Sequence, residues 1–275
     1  MSQNFDIVIE PNKTEVTYWK DIWRYKDLFY ILAWRDIKVR YKQTVLGIAW
    51  SVIRPLLTMI VFTIVFSKIA KLPSEGNAPY PILVYAAMLP WQFFANALSE
   101  TSNSLIANSN LISKVYFPRI IIPTSTIVTS LVDFGISFVL LFFMMLYYQY
   151  LPSWQIIILP LFLVLACIAA LSFGLYLSAV NVKYRDFRYI IPFITQFGLY
   201  ISPVGFSSSI VPEEWKILYA LNPMVGIIDG FRWCIIGNMP FPAMAVGFSV
   251  LVSSIVLFIG IKYFRKVEKS FADVI

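Results

Sequence analysis

The residues of this chain that could do chemistry are few, and their spacing matches no catalytic arrangement. The 275 residues include no histidine, which removes the usual proton shuttle and the commonest metal ligand. The two cysteines, Cys167 and Cys234, are too far apart in sequence to form a metal or redox motif. The sequence also lacks a Gly-x-x-x-x-Gly-Lys-[Ser/Thr] phosphate loop, an Asp-x-Asp pair and a Ser/His or Cys/His arrangement. We therefore expect no enzyme activity, no metal centre and no bound cofactor in this chain.

Ionisable side chains inside the apolar stretches are also rare. Asp133 is the one clearly buried carboxylate among them, and Arg54 lies near the end of its stretch. Transport coupled to an ion gradient needs titrating groups at membrane depth, and a single carboxylate gives little support for a proton relay. We expect Asp133 to be a helix-packing or interfacial hydrogen-bond partner. Energy for transport must come from another protein, or the chain forms a passive pore.

An integral membrane fold must position these side chains. Hydrophobic residues make up 59% of the chain, charged residues make up 13%, and the mean hydropathy is +0.73. A helix needs about 20 mostly apolar residues to cross the ~30 Å hydrocarbon core. Such stretches occur at residues 52–70, 81–98, 124–148, 156–180, 190–207 and 241–262. They are apolar on every side, unlike barrel strands, so we predict an all-α integral membrane fold with six transmembrane helices.

Basic side chains between the spans predict the orientation of the chain. With the N-terminus inside, 17 of the 22 Lys and Arg residues fall on the cytoplasmic side. Both termini are therefore predicted to be cytoplasmic. The net charge of +7 follows from this asymmetry and suits anionic lipid headgroups, so we expect no nucleic-acid partner.

The residues before the first span combine basic and aromatic side chains. On a helix, Trp34 and Tyr41 fall on one stripe, and Arg35, Lys38 and Lys42 fall on a neighbouring one. This pattern predicts an N-terminal amphipathic helix at the inner leaflet, with its aromatic rings at headgroup depth. A basic flank that only follows the positive-inside rule explains the charge equally well.

The segment NSNLISKVYFPR, residues 108–119, lies in the cytoplasmic connection between the second and third spans. It is short, stiff and partly apolar, so it is a candidate docking segment for a separate ATPase subunit. A helix lying on lipid is equally compatible with this pattern. The candidate contact residues are Asn108, Leu111, Lys114, Val115, Tyr116, Phe117, Pro118 and Arg119. A second cytoplasmic connection carries Lys183, Arg185 and Arg188, which suit the partner or a diphosphate headgroup but also follow from the orientation rule.

Residues 208–239, between the fifth and sixth spans, are too long and too mixed for a simple external turn. Their apolar pieces are about half a span long, which predicts re-entrant or interfacial helices with a break at Asn222 and Pro223. Asp229 and Arg232 are three residues apart, so we expect them to pair on one helix.

Three stretches give the sequence a specific resemblance. They are RDIKVRYKQTVLGIAWSVIRPLLTMIVFTIVFSKIAKLPS, PYPILVYAAMLPWQFFANALSETSNSLIANSNLISKVYFPRIIIP and LNPMVGIIDGFRWCIIG. In this order they resemble the membrane subunit of type 2 ABC exporters, most closely the permease for lipid-linked O-antigen polysaccharide. The similarity extends from about Asp27 to Lys269. Permeases for teichoic acid and capsular polysaccharide share the same general plan.

The resemblance implies a homodimer of six-span subunits around one conduit in the bacterial inner membrane, joined by two copies of a cytoplasmic ATPase that binds ATP and Mg. It implies that residues 108–119 are a coupling helix, that residues 27–45 form an interfacial helix beside it, and that residues 208–239 hold gate helices. The predicted divisions are a cytoplasmic lead with the start of the amphipathic helix, residues 1–34, a membrane domain, residues 35–267, and a cytoplasmic tail, residues 268–275.

A polysaccharide path should be visible among the aromatic residues, which make up 17% of the chain. An aromatic wall stacks on the C–H faces of sugars without fixing one register. The candidates for the conduit or gate are Trp91, Phe93, Phe94, Phe197, Tyr200 and Phe206, together with Asn222, Pro223, Asp229 and Arg232. For any single ring, a membrane belt or helix packing is the simpler explanation.

Two other classes of protein stay open at the level of sequence. An ion-coupled flippase for lipid-linked oligosaccharides would explain the aromatic residues, but it should carry more charge inside the membrane. A non-transporting membrane scaffold would explain the topology and the basic inner face. It would not explain the broken segment at residues 208–239.

Overall fold

The structure is a computed structural model that describes residues 15–42, 45–76, 78–184, 186–268 and 271. Within these ranges every regular element is a helix, which confirms the predicted all-α class. Some sequence predictions concern other residues. Residues 1–14 of the predicted lead, Arg185, and all of the predicted tail except residues 268 and 271 lie outside the described residues.

The helices follow one another along the described chain with short connections. In order they are α1 Glu15–Arg24, α2 Lys26–Lys42, α3 Val45–Phe62, α4 Tyr80–Ala107, α5 Ser109–Lys114, α6 Ile121–Tyr147, α7 Leu159–Lys183, α8 Phe187–Ile201, α9 Glu213–Ala220, α10 Pro223–Ile236 and α11 Ala243–Glu268. A π-helix, Thr63–Ile69, extends α3 directly, and 3-10 turns at Trp154–Ile158 and Ser208–Ile210 come before α7 and α9.

Five helices of the described chain are long and apolar enough to cross a membrane. They are α3 with its π-helical extension, α4, α6, α7 and α11. These five helices confirm five of the six predicted spans and make the chain a multi-pass membrane protein. A long apolar segment forms a helix in lipid because only a helix hydrogen-bonds all of its backbone polar groups within the same segment.

The predicted fifth span, residues 190–207, is shorter in the structure. It consists of α8, with 15 residues, followed by a turn segment at residues 202–207. A helix of that length extends over only ~22 Å at 1.5 Å per residue. It ends because Ser202 precedes Pro203, whose ring disfavours the helical conformation of the residue before it, and Ser202 is extended with φ −82° and ψ 153°. The six-span count therefore stays a prediction.

The centre of the bundle is α4, which packs against α6, α7 and α10. Small side chains permit this close packing: Ala86, Ala87 and Ala97 of α4 are completely buried. Gly174 of α7 lies against the same helix. A Cβ atom at this position would be 2.6 Å from Cγ2 of Thr101, so α7 can approach α4 this closely only with a glycine there.

The bundle has two ends that differ in their contacts. At one end, α2, α5, the start of α6 and the end of α11 share an apolar cluster that includes Leu32, Ile112 and Phe264. We call this the docking end, and the predicted orientation makes it cytoplasmic. At the other end, Tyr80 donates a hydrogen bond to the carbonyl of Gly205 at 2.8 Å, which connects the start of α4 to the turn after α8. We call this the α10 end.

The segment between α8 and α11 contains two short helices, α9 and α10. They meet at the predicted break, because α9 ends at Ala220 and Asn222 caps α10 by accepting a hydrogen bond from the Met224 backbone N–H at 3.0 Å. Pro223 occupies the first position of α10, where its missing N–H costs nothing. The helix α10 is almost completely buried. A re-entrant or gating role for these helices stays a prediction.

Candidate functional site

A groove of about 930 Å³ lies between α3, α4, α6 and α8 and includes Arg40 of α2. Its polar lining consists of Arg40, Arg54, Thr58, Gln92, Asn96, Asp133, Ser137, Thr195 and Gln196. On α3, α4 and α6 these residues are spaced four apart, so each pair shares one face of its helix. Polar side chains from four apolar helices therefore converge on the same groove.

Most of this polar lining was not among the site residues predicted from the sequence. Gln92 and Asn96, for example, carry no charge and were passed over within an apolar stretch. A signal was present, because polar residues four apart inside a span mark a helix face that does not contact lipid. The pairing of such faces across four helices depends on how each helix is rotated, which the sequence does not specify.

Aromatic rings line the same groove beside the polar groups. Three of the predicted conduit residues, Trp91, Phe93 and Tyr200, are among them. The structure adds Phe62, whose ring lies 6.2 Å from that of Tyr200, and Phe134. The groove thus presents flat apolar surfaces together with amide and hydroxyl groups.

The other three predicted aromatic residues lie elsewhere. Phe94 is buried, with its ring 6.3 Å from that of Phe173 of α7, so it serves helix packing. Phe206 follows α8 and packs on Phe66, with 6.4 Å between ring centroids. Phe197 is exposed on α8, stacked on Phe193 with ring planes 9° apart. No other part of the described chain covers this face of α8.

A cluster of charged and polar side chains joins α2 to the groove. The Arg40 guanidinium lies between two carboxylates: its Nη2 atom is 2.7 Å from Oδ2 of Asp133, and its Nη1 atom donates to Oε1 of Glu100. The Tyr41 hydroxyl donates to Oδ1 of Asp133. Burial and this carboxylate raise the pKa of the Tyr41 phenol, which keeps it a proton donor.

This cluster bears on two sequence predictions. Asp133 was expected to be a packing or interfacial partner, and it does bind side chains of a neighbouring element. Tyr41 was expected on a stripe at headgroup depth, which stays a prediction; its hydroxyl donates to Asp133, because a buried carboxylate needs donors. Arg40 and Glu100 were missed, since a pair 60 residues apart leaves no local pattern.

The predicted ATPase-docking residues divide into an exposed part and an anchored part. The exposed part is Lys114, Val115 and Tyr116, which follow one another at the end of α5. Tyr116 is 53% exposed, and its backbone carbonyl accepts a hydrogen bond from the Tyr25 hydroxyl at 3.4 Å. These apolar side chains and the lysine form a small exposed surface at the docking end, so an ATPase contact there stays a prediction.

The anchored part holds the exposed part in place. Phe117 is 3% exposed and Pro118 is buried, while Leu111 is half-buried against the apolar cluster of the docking end. The Arg119 backbone N–H donates to Oε1 of Glu268 at 2.8 Å, and its guanidinium donates to the Glu268 carbonyl. Asn108 begins α5. The segment is therefore fixed to the end of α11 rather than loosely tethered.

The helix α2 runs beside this segment and carries the predicted interfacial residues. Arg35 donates from Nη2 to Oδ1 of Asn108 at 2.8 Å, which joins α2 directly to the start of α5. The exposed Trp34 ring has the Lys38 ammonium 5.3 Å from its centroid, and Lys42 is exposed. An exposed tryptophan beside lysines suits a lipid headgroup layer, so the interfacial role stays a prediction with a suitable surface.

At the α10 end, Arg232 is completely buried. Its guanidinium donates to three backbone carbonyls, those of Phe206 at 2.8 Å, Val204 at 3.1 Å and Leu83 at 3.4 Å. Asp229 lies one turn earlier on α10. The guanidinium thus connects α10 to α4 and to the turn after α8, whereas the pairing of Arg232 with Asp229 on one helix stays a prediction.

A comparison of the sequence with protein families gives one match that covers most of the chain. The ABC-2 type transporter family matches residues 27–236, from α2 to the end of α10. The chain belongs to the ABC-2 type transporter family. Its members are transport permeases of ABC systems and are not themselves catalytic, and such systems include an ATPase partner. The resemblance found in the sequence is therefore confirmed.

Several relatives of this ABC-2 protein have names that describe export or transport. The chain is 27% identical over 216 residues to the O-antigen export system permease protein RfbA of Myxococcus xanthus, over 78% of this chain and 82% of the relative. It is 25% identical over 254 residues to the protein of the same name from Klebsiella pneumoniae, over 90% and 95%. The polysialic acid transport protein KpsM of Escherichia coli is 19% identical over 241 residues, over 86% and 92%.

Proposed function

We propose that this chain is the permease subunit of an ATP-driven exporter that moves a lipid-linked polysaccharide of the O-antigen type across the bacterial inner membrane. Family membership and the RfbA relatives support this function. The single structural observation that carries it is the groove between α3, α4, α6 and α8, where polar side chains and aromatic rings meet within an apolar bundle.

The chemistry of the groove is suited to a sugar chain. An amide or hydroxyl group at membrane depth costs free energy unless it finds a hydrogen-bond partner, and sugar hydroxyls supply both donors and acceptors. Gln92, Asn96 and Gln196 offer such groups, while Trp91 and Tyr200 offer flat faces for the C–H surfaces of the rings. Because no contact of this kind selects a single register, a long polymer can pass through stepwise.

Energy enters, in this proposal, through a separate cytoplasmic ATPase that binds ATP and Mg. The exposed part of the docking segment, Lys114 to Tyr116, is its contact surface. Two permease chains and two ATPase chains form the complex, and the uncovered face of α8 together with the open groove supports pairing of two copies around one conduit. Arg54 and Asn96, exposed in one chain, would then line an enclosed path.

A capsule-type polysaccharide is the second candidate substrate, and the KpsM relatives favour it. Teichoic acid permeases share the general plan. An ion-coupled flippase is less consistent with the structure, because the carboxylate of Asp133 is already bound by Arg40 and Tyr41 and is not poised to carry protons along a path.

Reconstitution of the permease with its ATPase in vesicles tests this function. We expect lipid-linked O-antigen polysaccharide to raise the rate of ATP hydrolysis and to cross the membrane, and a capsule-type polymer to do so less. The variant Gln92→Leu should lower transport at least about fivefold with little change in thermal stability, since it removes an amide from the groove and keeps the volume. Transport by the permease alone in response to a pH gradient would exclude the proposal.

A further inference from the structure

We propose that Arg40 is a positioning residue, and that its pairing with Glu100 and Asp133 transmits movement of the docking segment to the wall of the groove. We call Arg40, Tyr41, Glu100 and Asp133 the α2 clamp. The inference rests on the proposed function, since it concerns how that groove is driven. It assigns a role to side chains at a place where α2, α4 and α6 meet.

The first step is the connection between the docking segment and α2. Asn108 is the N-cap residue of α5, and its side chain accepts a hydrogen bond from Arg35 of α2 at 2.8 Å. The Tyr25 hydroxyl, between α1 and α2, donates to the carbonyl of Tyr116 at 3.4 Å. A displacement of α5 by a bound ATPase therefore acts on α2 through two contacts.

The second step is the connection between α2 and the groove. Arg40 lies five residues after Arg35 on the same uninterrupted helix, a separation of ~7.5 Å along its axis. A helix transmits displacement over such a distance with little bending. The planar guanidinium holds two carboxylates on two different helices, Glu100 of α4 and Asp133 of α6, and Tyr41 holds Asp133 a second time.

The third step is that the clamp is itself part of the groove. Both Arg40 and Asp133 line it, and Asp133 is one residue from Phe134, which also lines it. Glu100 is four residues after Asn96 on the same helix face, so α4 carries the clamp and the groove lining on one side. A shift of α2 therefore changes the position of groove residues on α4 and α6 together.

The Arg40–Glu100 pair is the more exposed half of the clamp, whereas the Asp133 side chain is only 9% exposed. The side chains of Arg40 and Glu100 are each 33% exposed, so solvent screens their pairing and it can break and re-form during a transport cycle. A fully buried ion pair would be too costly to break in this way. Ion pairs of this kind are also directional, which apolar contacts are not.

The test uses the complex with the ATPase and reads the groove directly. A cysteine at the exposed position 96, Asn96→Cys in a Cys167→Ala background, reacts with a water-soluble thiol reagent, and its reaction rate is compared with and without ATP. The variants are Arg40→Met, Arg40→Lys and the neutral triple Arg40→Met, Glu100→Gln, Asp133→Asn. The exposed Lys26 at the start of α2 provides the matched control, Lys26→Met.

We expect Arg40→Met to reduce the ATP-dependent change in labelling at least about fivefold, the low end of measured coupling between sites, while hydrolysis continues. Arg40→Lys should restore part of the change because it keeps the charge. The triple variant should restore none of it. Recovery in the triple variant, or equal labelling in Arg40→Met and Lys26→Met, would show that the cluster only balances charge, and would overturn the proposal.

The same experiment separates this inference from the proposed function. Labelling at position 96 reports whether ATP reaches the groove, whatever polymer is carried. If the wild-type complex does not move O-antigen polysaccharide while labelling in the Asn96→Cys complex still depends on ATP and on Arg40, then the substrate is wrong and the clamp stands. If polysaccharide crosses normally in Arg40→Met with unchanged ATP use, then the substrate stands and the clamp is wrong.

Discussion

Tyr116 and Phe117 are neighbours in the docking segment, but alanine should affect different properties at the two positions: ATPase affinity at Tyr116 and thermal stability at Phe117. Phe117 is 3% exposed and packs in the apolar cluster with Ile112 and Phe264. Truncating a buried phenylalanine to alanine costs about 3–5 kcal/mol in transfer free energy and cavity formation. We therefore expect Phe117→Ala to lower thermal stability strongly and to lose ATPase binding as a secondary effect.

Tyr116 should behave differently because its side chain is 53% exposed and makes no hydrogen bond within the described chain. The bond from Tyr25 is to its backbone carbonyl, which alanine keeps. Tyr116→Ala should change the free energy of unfolding by less than about 0.5 kcal/mol. An aromatic residue at the centre of an interface contributes about 2 kcal/mol, so binding of the ATPase should weaken roughly 30-fold.

Two measurements on the purified permease decide between these outcomes. Thermal unfolding in detergent gives the stability of each variant, and titration with the ATPase gives its affinity. Tyr147, which is 82% exposed at the opposite end of α6, provides the control Tyr147→Ala and should change neither quantity. Unchanged ATPase affinity in Tyr116→Ala, or a loss of stability like that of Phe117→Ala, would refute the assignment of Tyr116 to the contact surface.

Two further predictions concern the α10 end. In Gly226→Ala the new Cβ would lie 2.3 Å from the Ala245 carbonyl oxygen, a backbone atom that moves only with α11. Thermal unfolding in detergent should therefore show a loss of about 1–3 kcal/mol in the free energy of unfolding. The control Gly247→Ala has open space around the new Cβ and should be neutral or slightly stabilising in this assay. Arg232→Met should cost about 3 kcal/mol or more, because three buried carbonyls lose their donor, and Arg232→Lys should not rescue it, since an ammonium cannot reproduce the planar fork.

The spans were predictable because hydrophobic length is a local property that tertiary packing cannot reverse. Residues 52–70 and 241–262, for example, have too few polar groups to be anything but membrane helices. The end of α8 was not predicted, although its cause is local. Pro203 follows Ser202 inside an apolar run, and a count of apolar residues gives no weight to the restriction that proline places on the residue before it.

The site was predictable only where a side chain's role depends on its neighbours in sequence. The break at Asn222 and Pro223 is of this kind, since capping and proline chemistry act within a few residues. The exposure of Tyr116 and the burial of Phe117 could not be predicted in this way. Both residues are aromatic, and the extended backbone after α5 decides which ring faces the bundle. The α2 clamp also depends on helix rotations that no local pattern records.

The position of α4 explains how one chain can serve both the docking end and the α10 end. Its 28 residues, Tyr80–Ala107, extend over ~42 Å. Arg232 donates to the Leu83 carbonyl near its first turn, and Arg35 donates to Asn108 directly after its last residue. Pro90 lies inside this helix and cannot donate the hydrogen bond that would stiffen it there. Bending should therefore concentrate just before Trp91, at the level of the groove. A force applied at the docking end would then change the shape of the groove first and reach the α10 end only after it.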